Sequence, residues 1–258
     1  MRVTVIGCWG GSPRPGGACS GYLLEYDGRC ILLDCGAGVA SAVQGVRPLE
    51  RIDDVFVSHF HHDHVSDAGV MSYARLVHRQ LGVTDRPLTF YAPGRDERGM
   101  GARDLAMRGA SRSVEVGEGS RLDVGPFHLQ FMRTRHPRLC LATRVSCDDG
   151  TTLGYTADGA LTPELVRFLG GVDVLVSECS LYAGYDGASF GHMSCEDVAA
   201  LGRGALPGTL VLSHLPIYGE VKGLLSEVGA ALRDLPVRVV LAEDGAGLGR
   251  TCVDAGVA

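Results

Sequence analysis

The stretch IDDVFVSHFHHDH, residues 52–64, decides both the fold and the chemistry that we expect of this chain. Residues 52–58 are β-branched and aromatic, with no strand breaker after Asp54, which predicts a buried strand. Side chains at the carboxyl end of such a strand are where α/β proteins build their functional sites. Metal-binding side chains fill four of the next six positions: His59, His61, Asp63 and His64.

The spacing within this cluster predicts two adjacent metal ions. His59 and His61 are two residues apart, so both imidazoles point the same way in an extended segment and can share one ion. Asp63 and His64 lie where a helical pattern begins, which turns them toward a second position beside the first. Imidazole and carboxylate are the ligand set of divalent zinc, the expected ion, with manganese or iron as alternatives.

Three further polar residues follow apolar strands and could complete these sites: His136, Asp158 and His214. Four ligands cannot fill two ions, so His136 and His214 would each add one, and Asp158 could bridge them with its two oxygens. Any one of them alone is more often a hydrogen-bonded turn residue; their agreement with the cluster favours a ligand. His62 lies inside the motif, but alternation turns it away from the other ligands.

A second pair of polar residues lies further along. Glu178 ends the apolar strand VDVLVSE, and His192 lies in a glycine-bearing loop before a capped helix. A carboxylate and an imidazole placed together can transfer protons. The residues alone favour a structural role for this pair over proton transfer.

Composition restricts the class of protein. With 258 residues, 45% of them hydrophobic, and no linker or charge run, a single domain over residues 1–258 is expected. No apolar run reaches the eighteen residues or so of a membrane span, and no signal peptide is evident, so we expect a cytoplasmic protein without a membrane partner. Nine scattered cysteines without a CxxC pair argue against a disulfide framework.

The net charge of −6 disfavours binding to long nucleic acid and favours a small-molecule substrate. A homodimer is left open. The glycine cluster at residues 7–17 fits neither the dinucleotide nor the P-loop pattern and is interpreted as a turn or an active-site flap.

The pattern of apolar residues predicts a mixed α/β chain. Early strands are joined by short turns, as in an antiparallel meander, and later strands alternate with helices. The predicted strands cover residues 2–7, 19–26, 30–34, 53–58, 87–92, 127–134, 139–147, 151–156, 172–178, 208–213 and 237–241, and the predicted helices cover 68–81, 162–170, 194–205 and 220–234.

Several motifs, taken in order, resemble those of the metallo-β-lactamase superfamily. Its HxHxDH motif is met by residues 59–64, and LLDCGAG (32–38), GYTADG (154–159) and LSHLP (212–216) resemble its early strand and turn, its bridging aspartate and its last histidine. The resemblance spans nearly the whole chain. It implies a four-layer αββα sandwich of two mixed sheets flanked by helices, with each half of the chain contributing ligands.

Within that superfamily, residues 172–216 are similar to ribonuclease Z and its phosphodiesterase relatives. The resemblance implies that Glu178 and His192 assist proton transfer. The family's usual His-Ser-Thr reads His192-Met193-Ser194 here, and no long Gly/Pro-rich arm for gripping transfer RNA is present, which argues against transfer RNA processing.

The mechanism expected from these sites is hydrolysis by a water-derived hydroxide between two ions. One ion would rest on His59, His61 and His136, the other on Asp63, His64 and His214, with Asp158 between them. Metal binding lowers the pKa of water from about 15.7 toward 7. Asp63 would orient the hydroxide, and protonated His192, supported by Glu178, would donate to the leaving oxygen.

The leading hypothesis for the substrate is a small phosphodiester, such as a cyclic nucleotide or a nucleotide-like metabolite. The first alternative is a thioesterase or lactonase, because the same hydroxide attacks acyl carbons. The second is a metal-binding accessory protein without turnover.

Overall fold

A computed structural model describes residues 1–249 of the chain, which form both strands and helices. The strands are β1 (Arg2–Gly7), β2 (Gly21–Tyr26), β3 (Arg29–Leu33), β4 (Asp54–Phe56), β5 (Leu88–Pro93), β6 (Ser111–Val116), β7 (Arg121–Val124), β8 (Phe127–Arg133), β9 (Leu141–Cys147), β10 (Thr152–Tyr155), β11 (Val174–Glu178), β12 (Thr209–Ser213), β13 (Arg238–Leu241) and β14 (Gly247–Gly249). The helices are α1 (Val39–Ala42), α2 (His62–Val65), α3 (Ala68–Gln80), α4 (Pro163–Phe168), α5 (Gly187–Phe190), α6 (Cys195–Ala205) and α7 (Val221–Leu232). Single 3₁₀ turns cover Val43–Gly45, Leu49–Arg51 and Ala102–Leu105.

The strands form two seven-stranded sheets, with the orders β14-β1-β2-β3-β4-β5-β6 and β13-β12-β11-β10-β9-β8-β7. In the first sheet, β1 to β3 pair antiparallel and β3 to β6 pair parallel. In the second, β7 to β10 pair antiparallel and β10 to β13 pair parallel. Both sheets are therefore mixed, as expected.

Alternating side chains on the first sheet enter two different cores. Leu24 and Ile31 belong to the core that the first sheet shares with the second. Leu23 and Leu32 face the other way and pack in a separate core with helix residues such as Met71. Because successive side chains of a strand point to opposite faces, strands covered on both sides read as continuous apolar runs.

The second sheet is covered in the same way. Leu165 of α4, Leu201 of α6 and Leu224 of α7 are buried in the core that includes its strands. The layers are thus helix, sheet, sheet and helix, and the predicted αββα sandwich is confirmed.

All predicted strands and helices are present, with ends within two residues of the expected positions. The hydroxyl cap at Thr162 accepts a hydrogen bond from the Leu165 N–H at 3.2 Å, and Ser194 with Asp197 forms the predicted capping box. Strands β6, β7 and β14 were not predicted.

Eight cysteines are buried and free, as expected, and Cys252 lies outside the described residues. Within residues 1–249, no helix has both the length and the apolar character needed to cross a bilayer. The single domain, the homodimer and the cytoplasmic location stay predictions.

Candidate metal centre

The predicted ligands meet where strands of both sheets end. Strand β4 ends at Phe56, just before the histidine cluster, and β10 and β12 end just before Asp158 and His214. All seven predicted ligands fall into two groups whose ligand atoms lie within 4.8 Å of one another: His59, His61, His136 and Asp158 in the first, and Asp63, His64 and His214 in the second. The structure therefore brings together every residue that the sequence pointed to as a ligand.

The first group consists of three imidazoles and a carboxylate at contact distance. His61 Nδ1 lies 3.0 Å from His59 Nε2 and 3.1 Å from His136 Nε2. Asp158 Oδ2 lies 3.5 Å from His59 Nε2. These atoms surround one position between the two sheets.

Hydrogen bonds outside the group decide which ring nitrogens carry protons. The Ser58 hydroxyl donates to Asp34 at 2.8 Å, so at 3.1 Å it accepts from His59 Nδ1–H. His136 Nδ1–H donates to the Gly191 carbonyl at 2.9 Å. Nε2 of His59 and Nε2 of His136 therefore direct lone pairs into the group.

Two lone pairs of this group, on His59 Nε2 and His136 Nε2, face the single nitrogen Nδ1 of His61. Burial lowers the pKa of His59, and it lowers the pKa of His61 to about 4, so both imidazoles are neutral at pH 7. One proton on His61 Nδ1 has to be shared between the two lone pairs, whereas a cation between the three nitrogens would satisfy all of them. The donor set therefore fits a metal ion.

The second group is built around Asp63. Asp63 Oδ2 lies 3.1 Å from His214 Nε2 and 3.8 Å from His64 Nε2. His64 Nδ1–H donates to Asp34 at 2.7 Å, and His214 Nδ1–H donates to the Ser180 hydroxyl at 2.8 Å. Each Nε2 is thereby turned toward the group.

Asp158 touches both groups. Besides His59, it lies 3.3 Å from His64 Nε2 through Oδ1 and 3.4 Å from His214 Nε2 through Oδ2. His64 Nε2 and Asp158 Oδ1 are buried yet have no hydrogen-bond partner among the described residues. Buried polar atoms without partners are costly, and a cation at this position would satisfy both.

Burial opposes the charged form of His64, but Asp158 and Asp34 outweigh it and raise its pKa well above the usual value. The surroundings of His64 thus attract positive charge. A metal ion would compete with a proton for this nitrogen, as at metal sites generally.

Asp34 is a functional residue that sequence reasoning missed. It is fully buried and accepts four hydrogen bonds: from Ser58 N (2.7 Å), Ser58 Oγ (2.8 Å), His64 Nδ1 (2.7 Å) and Tyr155 Oη (2.5 Å). It orients His64 directly and His59 through Ser58. The sequence did contain a signal, because Asp34 is the aspartate at the end of the apolar strand in LLDCGAG (32–38). The motif was compared as one unit, and Asp34 was not assigned a role of its own.

The glycine-rich loop between β1 and β2 lies against the second group. A Cβ at Gly10 would come within 2.6 Å of the His214 ring, so only glycine fits there. The Gly11 N–H donates to Asp63 Oδ2 at 2.6 Å, in a backbone conformation with φ of 74° that favours glycine. At the base of the loop, Asp244 accepts from the N–H groups of Cys8 and Ala18. The glycine cluster is therefore part of the site wall.

His192 and Glu178 pair beside the two groups, with His192 Nδ1 3.0 Å from Glu178 Oε2. The His192 ring stacks on His214 at 5.7 Å between centroids and meets the His136 ring edge-on at 5.1 Å. Glu178 is buried and also accepts from Gly159 N at 2.6 Å. It therefore fixes both His192 and the segment that carries Asp158.

Burial favours neutral His192, but the Glu178 carboxylate outweighs it and raises the pKa of His192 to about 9. His192, Asp158 and His214 also lie close enough to form a third group of potential ligands. A protonated imidazole has no free lone pair, so its pairing with Glu178 favours a proton donor over a ligand. His62 is exposed and takes no part, as predicted.

A family model described as a beta-lactamase superfamily domain matches residues 29–215, a range that includes all the residues of both groups and the pair Glu178 and His192. The chain belongs to this superfamily. It is a metal-dependent hydrolase with a cluster of histidine and aspartate side chains able to hold metal ions.

Relatives of this superfamily chain include proteins of known structure. "Probable metallo-hydrolase YhfI" of Bacillus subtilis is 37% identical over 227 residues, 88% of this chain and 92% of the relative. The crystal structure of the metallo-beta-lactamase fold protein YhfI superposes with a TM-score of 0.90, at 34% identity, over 96% of this chain and 98% of that one.

More distant members share the fold. The short form of human tRNase Z superposes with a TM-score of 0.72 at 19% identity, covering 96% of this chain and 99% of its own. A ribonuclease Z of Metallosphaera sedula is 22% identical over 280 residues, 88% of this chain and 92% of the relative. The resemblance to the superfamily and to its ribonuclease Z branch is confirmed.

Proposed function

We propose that this hydrolase cleaves a small phosphodiester, such as a cyclic nucleotide or a nucleotide-like metabolite. The observation that carries the proposal is the charged pair of His192 and Glu178 beside both ligand groups. An alkoxide leaving a phosphodiester needs a proton, whereas a thiolate leaves an acyl carbon readily without one.

In this proposal, two divalent ions are held by the two groups. His59, His61 and His136 hold one, Asp63, His64 and His214 hold the other, and Asp158 contacts both. When bound, the two cations lower the pKa of water and polarise the scissile group. Zinc suits the spacing, because a tetrahedron with bonds of about 2.0 to 2.1 Å has edges of about 3.3 Å. Three pairs of ligand atoms in the first group lie 3.0 to 3.5 Å apart, and all four atoms lie within 4.8 Å of one another.

The chain's own residues supply orientation and protons. Asp63 accepts from Gly11 N–H through Oδ2, which leaves its other oxygen to accept a proton from the attacking water. His192 donates to Glu178 through Nδ1, which leaves Nε2–H to protonate the leaving oxygen. Glu178 keeps His192 in the protonated form.

The test is a panel assay of protein reconstituted with Zn²⁺, Mn²⁺ or Fe²⁺. The panel contains a cyclic nucleotide, bis(p-nitrophenyl) phosphate, an acyl thioester and a lactone, with Asp158→Ala as the blank. We expect turnover of the phosphodiesters and a loss of about 10²- to 10⁴-fold on the cyclic nucleotide in His192→Ala. The loss should be smaller on the p-nitrophenyl diester, whose leaving group needs less protonation.

His128→Ala is the matched control. His128 is also a histidine paired with carboxylates, Asp123 and Asp148, but it lies on the exposed part of β8. Its removal should leave all rates unchanged. Efficient hydrolysis of the thioester or lactone with none of the diesters would overturn the proposal in favour of an acyl hydrolase. Stoichiometric metal without turnover of any substrate would favour an accessory protein.

A further inference from the structure

A cavity of about 380 Å³ opens directly beside the first ligand group. One wall carries Arg133, Arg135 and the ligand His136, and the facing wall is formed by Ala188, Ser189 and Gly191. The two walls are joined where His136 Nδ1–H donates to the Gly191 carbonyl. The cavity therefore borders the first ligand group through His136.

Arg135 is the charged group of this cavity that forms no direct ion pair among the described residues. Its side chain is exposed and makes no hydrogen bond or ion pair with any residue of the range 1–249. Arg133 is exposed and forms an ion pair with Glu97 at 3.4 Å. An unpaired guanidinium at the mouth of a cavity attracts an anion.

An acidic residue, Asp186, lies near the opposite wall and is hydrogen-bonded to Ser189. Asp186 accepts from both the N–H and the hydroxyl of Ser189, at 3.3 and 2.5 Å. The charge of Arg135 contributes to lowering the pKa of Asp186, after those two hydrogen bonds. The small side chains of Ala188 and Ser189 leave the space in front of Arg135 open.

The cavity lies on the side from which the leaving group is protonated. Gly191 immediately precedes His192, and the His192 ring lies 5.1 Å from the ring of His136, which lines the cavity. The cavity therefore lies next to the residue that is proposed to protonate the leaving oxygen.

We propose that this cavity binds a phosphate group on the leaving-group side of the substrate, with Arg135 as its main contact and Arg133 as a weaker one. This inference rests on the proposed function and adds that diesters carrying a second phosphate are the preferred substrates. The planar guanidinium presents two parallel N–H donors to phosphate oxygens, a geometry that glutamine does not reproduce. The contact is exposed, so it weakens as salt rises.

The experiment compares substrates that differ by one phosphate. Wild type, Arg135→Gln and Arg133→Gln are assayed on adenylyl-3′,5′-adenosine, on its 5′-phosphorylated and 3′-phosphorylated forms, and on bis(p-nitrophenyl) phosphate. The matched control is Arg233→Gln, an exposed arginine at the end of α7. Calorimetry with adenosine 3′,5′-bisphosphate and with AMP gives a second readout that does not depend on turnover.

We expect wild type and Arg233→Gln to prefer one phosphorylated dinucleotide over the unphosphorylated one by about 10- to 100-fold in kcat/KM. Arg135→Gln should abolish most of that preference through KM, and Arg133→Gln should reduce it less. Arg135→Gln should also weaken the bisphosphate more than AMP. A preference that survives Arg135→Gln, or no preference in wild type, would overturn the inference.

Failure of the proposed function is a separate result. If wild type turns over no diester, including bis(p-nitrophenyl) phosphate, the proposed function fails. Calorimetry then decides the cavity, because unchanged affinity for the bisphosphate in Arg135→Gln contradicts a phosphate site there.

Discussion

The two halves of the candidate centre are encoded in different ways. The four ligands of the first half come from residues 59–64, within eight residues of the end of β4, whereas His136, Asp158 and His214 each follow a different strand of the second sheet. The first half takes its shape from one strand and one turn of helix. The ligands of the second half come together only when the strands of the second sheet are packed in order beside the first sheet. This half of the centre therefore depends on the complete fold.

Of the changes considered, removal of metal should have the largest effect on activity and stability, because it affects both halves of the centre. Chelation should abolish activity and lower Tm, because the ions would join ligands from the two sheets. At free metal about 1,000 times Kd, binding adds about 4 kcal/mol to the free energy of unfolding. Calorimetry and activity, measured before and after chelation and again after adding zinc, check this. Full activity in the chelated protein would contradict a metal-dependent reaction.

Asp158→Ala removes a ligand that follows a strand of the second sheet, and Asp63→Ala removes one from residues 59–64. Because Asp158 contacts both groups, its loss should lower metal content at both positions and reduce kcat by more than about a hundredfold. Asp63→Ala is the comparison variant, since Asp63 belongs to the second group alone. It should lower metal content at one position. Elemental analysis of the two purified variants measures this difference in metal content. Equal metal contents would show that Asp158 is not needed at both positions.

Asp34→Asn should have an intermediate effect on metal affinity, because Asp34 orients His64 directly and His59 through Ser58. An amide cannot accept all four hydrogen bonds that the Asp34 carboxylate accepts, so His64 loses the partner that fixes its tautomer. Changes of this kind cost about 10- to 100-fold in metal affinity or activity. Competition with a chromophoric chelator measures the affinity.

The matched control for Asp34→Asn is Asp123→Asn, which alters another aspartate paired with a histidine, on the surface and away from the site. It should bind metal as wild type does. If both variants bind metal equally well, Asp34 has no orienting role.

The sequence allowed prediction of most of the fold and of every ligand, for physical reasons. Buried strands covered on both faces read as apolar runs, and the ligands follow their ends. Strand β6 (SRSVEV) escaped prediction because it is an edge strand with mostly exposed polar residues, and β14 because its glycines lack any strand preference. The role of Asp34 depends on Ser58 and Tyr155, which are distant in sequence and meet only in the folded chain.

Gly10→Ala should have the smallest effect of these changes. A methyl group 2.6 Å from the His214 ring forces the loop or the ring to move. We expect this displacement to raise the activation free energy by roughly 1 kcal/mol, which lowers kcat/KM about fivefold. Gly223→Ala is the control, because its Cβ meets nothing within 4 Å in helix α7. It should raise the free energy of unfolding by about 0.5 to 1 kcal/mol without loss of activity. Identical activity in the two variants would show that the loop does not constrain His214.

Hydrogen bonds between the sheets have a consequence for the order of assembly. Tyr22 of β2 bonds Ser213 of β12 at 2.6 Å, and Tyr155 of β10 bonds Asp34 after β3, so the two sheets are tied together beneath the ligands by the chain itself. We expect these ties to hold the two sheets in place whether or not ions are bound. Less of the binding free energy of an ion would then be lost to ordering its ligands.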